Sequence, residues 1–106
     1  MQSEPIVQKE QIITKIKSVL PQLSKLGIKK IGIFGSMKRG DARIDSDVDI
    51  LIEFQKGMKS YKKLIETRTL LEITLNKKID LVQLEGLSKY IGPKILLEVE
   101  YIEDQS

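Results

Sequence analysis

Apolar residues Ile6, Ile12, Ile13, Ile16, Val19, Leu20, Leu23 and Leu26 recur at the three- and four-residue steps of a helix face. Pro21 falls inside that run and has no N–H to donate, so the spacing predicts a kink or a fresh start there, with Gly27 as the stop. Lys30–Phe34 reads as a short buried strand ended by Gly35-Ser36, and Gly35 to Gly40 as a tight turn entering a short helical stretch. Asp41 to Ser46 reads as polar loop. Val48, Ile50, Leu51 and Ile52 mark a second strand closing near Glu53 or Phe54. Ser60 suits the N-cap of a helix running to about Asn76, with Leu64, Leu71 and Leu75 on one face. Lys78–Val82 is a third strand, Gly92-Pro93 opens a last short helix, and Val99–Ile102 finishes as an extended edge. The alternation predicts a small α/β fold: a mixed sheet of three to four strands flanked by helices, in a single domain over 1–106.

Composition narrows the chemistry. The chain has neither cysteine nor histidine, which excludes disulfides, thiolate nucleophiles, imidazole bases and the usual zinc sites. Catalysis would fall to carboxylates, hydroxyls, lysine, arginine or an oxygen-ligated metal. The amino-terminal residues lack the basic and apolar regions of a signal peptide, and no apolar run approaches the roughly 18 residues of a membrane span. Both point to a cytoplasmic protein with no membrane partner. The net charge of +3 is unevenly placed, with residues 1–40 at +6 and the remainder at −3. A basic front half suits a polyanionic ligand, but on charge alone a solvated face carrying Lys25, Lys29 and Lys30 is the favoured reading. The five aromatics show no basic–aromatic interleaving, so direct nucleic-acid binding is not expected, and most of them read as core or interface residues.

The most informative feature is Asp47-Val48-Asp49 at the start of the second strand. Side chains two apart on a strand share a face, so both carboxylates point to one place. At about 4 Å they repel by about 4 kcal/mol at an effective dielectric near 20. A divalent cation turns that repulsion into ligation. Asp80 lies between Ile79 and Leu81, and with those two in the core it reaches the same side. Three carboxylates on neighbouring strands suit two Mg2+ ions roughly 3.5–4 Å apart, the arrangement of phosphoryl and nucleotidyl transfer. Taken alone, Asp80 reads rather as an ordinary strand-end or turn residue.

Gly35-Ser36, followed by Met37-Lys38-Arg39-Gly40, supplies the complement. A strand ending in Gly-Ser and running into a helical turn offers backbone N–H groups to an anion. Gly35 permits close approach, Ser36 adds a hydroxyl, and Lys38 or Arg39 neutralises phosphate charge. Such turns are common; the distance to the acidic pair is what makes this one specific.

Ten residues separate Ser36 from Asp47. Gly-Ser, ten residues, then Asp-x-Asp resembles the signature of the nucleotidyltransferase superfamily that includes DNA polymerase beta. Ile33–Gly40, Ser46–Ile52 and Lys78–Val82 together resemble its minimal nucleotidyltransferase branch, MNT, over about Ile12 to Ile102. The resemblance implies the nucleotidyltransferase fold. It implies that Gly35 and Ser36 hold the β- and γ-phosphates of ATP, and that Asp47 and Asp49 ligate both metals. Asp80 would ligate the metal nearer the acceptor and help deprotonate its hydroxyl. Arg39 matches the branch's usual arginine near the phosphates or the partner, whereas Met37-Lys38 departs from the usual residues.

Proteins of this branch commonly pair with a HEPN protein, a helical ribonuclease, as toxin–antitoxin modules. The implied activity is transfer of AMP from ATP to a tyrosine of the HEPN toxin. Added bulk and negative charge there would oppose an anionic RNA. Two alternatives stand beside it: an antitoxin acting by binding alone, and a nucleotidyltransferase for a small hydroxyl compound of the aminoglycoside type.

Overall fold

The computed structural model describes residues 9–39, 46–87 and 92–103. Helix α1 (Lys9–Ser18) ends before the proline, and α2 (Leu20–Lys25) begins with Pro21 in its first turn, where the missing N–H costs nothing. Gly27 stops α2 with φ +89°, and the chain enters β1 (Ile28–Phe34). This strand starts two residues earlier than the sequence pattern predicts. A register shift between Ile28 and Lys30 leaves Lys29 and Lys30 both exposed, so the alternation that marks a strand is broken at its start. Lys29 pairs with Glu53 at 3.9 Å and Lys30 lies over the Tyr101 ring at 5.4 Å.

Helix α3 (Gly35–Arg39) follows β1 directly, and β2 (Val48–Phe54) comes next. Gly40 and the predicted polar loop, apart from Ser46, lie outside the described residues. Helix α4 (Tyr61–Leu75) is closed at both ends by its own sequence. Ser60 Oγ accepts the Lys63 N–H at 3.1 Å, a cap that contributes about 1 kcal/mol, and Asn76 takes φ 53° just past the last turn. The chain continues through β3 (Ile79–Gln83), a 3-10 turn (Leu84–Gly86), α5 (Gly92–Glu98) and β4 (Glu100–Ile102).

One mixed sheet has the order β3-β2-β1-β4. β1 is antiparallel to both β2 and β4, whereas β2 and β3 run parallel and need the α4 crossover to connect them. The predicted edge segment is thus a fourth strand. Register places Ile31 and Ile33 beside Ile52 and Ile50, and Val48 and Ile50 beside Ile79 and Leu81. With Ile12, Ile16 and Leu23 from α1 and α2, and Leu71 and Leu75 from α4, they make the apolar core between sheet and helices. Thr67 completes the α4 stripe although it is polar. It is fully buried, and its Oγ1 donates to the Lys63 carbonyl at 2.7 Å, which satisfies the hydroxyl within its own helix. Residues of the other parity, Phe34, Asp49 and Asp80, fall on the opposite face of the sheet. No helix among the described residues is long and apolar enough to cross a membrane.

Candidate active site

Phe34, Asp49 and Asp80 form a row across β1, β2 and β3 at one end of the sheet. Gly35 follows Phe34 and leaves the strand with φ +70°, a conformation L side chains rarely adopt. A Cβ at Gly35 would overlap Asp49 Oδ2, so the Asp49 carboxyl lies directly against this backbone turn. The tie between Gly-Ser and the second aspartate is therefore one of atomic contact as well as spacing.

Parallel register sets Asp80 next to Asp49, so the two carboxyl groups are neighbours on the same face of the sheet. Two carboxylates placed side by side each disfavour the other's ionisation. Burial pushes the Asp49 pKa up from 3.8 to about 6, and Asp80, Asp47 and Glu98 all push it the same way. Asp47, just before β2, and Asp80 are exposed, whereas Asp49 is half-buried. Among the described residues, no three acidic side chains close around one point as a finished metal shell. What the corner supplies is concentrated negative charge on oxygen donors, which together with burial raises the Asp49 pKa. That donor set fits a hard divalent cation such as Mg2+.

Sequence reasoning missed one member of this corner. Glu98, the last residue of α5, accepts the Gly35 N–H on Oε1 at 2.7 Å, and the same oxygen pairs with Arg39 Nη1 at 3.3 Å. The only signal in the sequence is a lone charge between Ile95-Leu96-Leu97 and Val99. Gly35 and Arg39 are thus both engaged at the corner. Ser36 is half-buried in the first turn of α3. Lys38 is half-buried in its last turn and makes no ion pair among the described residues.

A cavity of about 690 Å3 lies elsewhere, lined by Leu20, Leu23, Ile28, Lys30, Ile31 and Tyr101 among others. It opens at the start of β1, the far end of that strand from Gly35, and none of the corner acids reaches it. The hollow is therefore separate from the acidic corner.

A mixed sheet with acids on adjacent strands, set against a strand–Gly-Ser–helix corner, is the architecture of a nucleotidyltransferase. Comparison with known proteins agrees. The family described as Polymerase beta, Nucleotidyltransferase matches residues 14–106. Protein adenylyltransferase MntA of Thermococcus cleftensis is 41% identical over 93 residues, covering 88% of this chain and 91% of that protein. A provisionally named protein adenylyltransferase of Methanocaldococcus jannaschii is 37% identical over 87 residues, covering 81% and 92%. A provisionally assigned minimal nucleotidyltransferase of known structure superposes with a TM-score of 0.79 at 29% identity, covering 89% of this chain and 95% of that one. A chain from the complex of tri-AMPylated Shewanella oneidensis HEPN toxin with MNT antitoxin matches with a TM-score of 0.67 at 18% identity, covering 92% and 74%, a likeness of fold alone. The chain belongs to the polymerase beta nucleotidyltransferase family, in its minimal branch.

Proposed function

We propose that this protein is a Mg2+-dependent protein adenylyltransferase that moves AMP from ATP to a tyrosine of a HEPN-type ribonuclease toxin, and so acts as the toxin's antitoxin in the cytoplasm. The observation that carries the reading is the contact of the Asp49 carboxyl with the Gly35 turn on one side and with Asp80 on the other. One group of residues is suited to phosphates and the other to a cation, and they touch. The names of the archaeal relatives supply the protein acceptor, and the Shewanella complex supplies the kind of partner.

In this reading the Gly35 N–H, Ser36 hydroxyl and Arg39 guanidinium take the β- and γ-phosphates, with Lys38 adding positive charge beside them. Asp47, Asp49 and Asp80 would hold two Mg2+ ions, which when bound would offset the charge of the triphosphate and the repulsion among the three carboxylates. The tyrosine oxygen attacks the α-phosphorus, a new P–O bond forms, and the bond to the β-phosphate oxygen breaks as pyrophosphate leaves. Asp80, exposed at the outer end of the acidic row, faces an incoming acceptor and takes the hydroxyl proton.

Incubating the protein with ATP, Mg2+ and the HEPN protein encoded beside it, then weighing both chains intact, tests this directly. AMP-sized additions are expected on the partner and are expected to vanish when Asp47→Asn and Asp49→Asn are combined. A doubly substituted protein that still neutralises the toxin without any addition would replace catalysis with binding alone.

A further inference from the structure

We infer that Glu98 belongs to the nucleotide site as a resident anion that the triphosphate must displace. The inference rests on the reading above, in which Gly35 and Arg39 receive phosphate oxygens. A single carboxylate oxygen, Glu98 Oε1, already occupies both donors, at 2.7 Å from Gly35 N and 3.3 Å from Arg39 Nη1. A carboxylate oxygen meeting a backbone N–H and a guanidinium makes the same charge-assisted bonds that a phosphate oxygen would make. One N–H cannot serve two anions at full strength, and the phosphates would also meet a like charge at that point.

Glu98 is placed to leave. Its side chain is 37% exposed, and α5 is a lightly anchored helix whose Leu96 and Leu97 are 45% and 89% exposed. Only Gly92 of that helix is buried. The carboxylate can therefore swing into solvent without opening the apolar core. In the empty protein it holds the corner in shape; in the loaded protein it is replaced. Its cost falls only on ligands whose phosphates reach the corner, so Glu98 weakens ATP binding while leaving AMP binding unchanged.

Titration calorimetry of the full chain with ATP and with AMP, each in Mg2+, decides the point. Glu98→Gln removes the charge and keeps the shape. It is expected to bind ATP roughly 3–10-fold tighter while binding AMP within about twofold of the unsubstituted protein, the range of one ordinary net hydrogen bond. The ATP gain should shrink in high salt, because it arises from charge. A carboxylate that only braces the corner gives the opposite sign, because loosening Gly35 and Arg39 would weaken ATP binding. Glu98→Asp keeps the charge but draws it back by one methylene; a smaller gain is expected from it, and it serves if the glutamine variant does not fold. Unchanged or weaker ATP binding by the variants, with the unsubstituted protein binding normally, overturns this inference and leaves the proposed function standing. Absence of ATP binding by all of them overturns both.

Discussion

Replacing Asp49 with asparagine is expected to stabilise the metal-free protein at pH 7.5 while abolishing AMP transfer. The folded-state pKa of Asp49 is raised to about 6 from 3.8, first by burial and then by Asp80, Asp47 and Glu98. A raised pKa means that the folded chain binds the extra proton between those values. Stability from this group is complete below pH 3.8 and is lost as pH rises through 6. At pH 7.5 in EDTA the unsubstituted protein therefore carries a strained, ionised carboxylate that asparagine lacks. Discounted for the solvent that reaches a half-buried group, the gain is about 1 kcal/mol, on the order of 5 °C in melting midpoint. At about pH 2.5, below both pKa values, the two proteins should melt together, because the carboxyl is then largely protonated in both states. Adding Mg2+ and ATP should reverse the order, since only the protein with Asp49 can gain from them. A variant that melts lower than the unsubstituted protein at pH 7.5 would mean that the acid stabilises the empty fold, which the acidic row denies.

Gly35→Ala is the second large effect, and here stability and activity should fall together. A φ of +70° costs an alanine about 1–2 kcal/mol, and its Cβ would have to push Asp49 Oδ2 aside. Destabilisation of roughly 2–4 kcal/mol is expected by urea unfolding. AMP transfer should drop by about a hundredfold or more in the fraction that remains folded, because the displaced group is the one that joins the phosphate and acidic sides. A Gly35→Ala protein of native stability and rate would show that this close approach has no function.

Much of this could be read from the chain because the signals are local. Pro21, Gly27, Ser60 and Asn76 each mark a helix end through their own backbone or side-chain chemistry, and the structure uses all four in that way. The alternation around Asp80 correctly leaves it opposite Ile79, which is buried. The start of β1 was hidden because its register shift exposes Lys29 and Lys30 in succession, and a strand with two adjacent polar residues has no period to detect. Thr67 was hidden because a hydroxyl that bonds back to its own helix can occupy an apolar stripe. Glu98 was hidden for a deeper reason. Its contact with Gly35 spans 63 positions and depends on how α5 returns over the sheet, which neither composition nor spacing encodes. Parity placed the acids on one face, but only the pairing of β2 with β3 in parallel register brings Asp49 and Asp80 into contact.

The central proposal is that the Gly35 corner and the acidic row form one pocket for a metal-bound triphosphate. A crystal structure of the protein with Mg2+ and a non-hydrolysable ATP analogue tests it most directly. The account predicts phosphate oxygens on the Gly35 N–H and Ser36, with metal held by Asp47 and Asp49. A nucleotide seated instead in the hollow beside Leu23 and Tyr101, with no metal at Asp47 and Asp49, would contradict it.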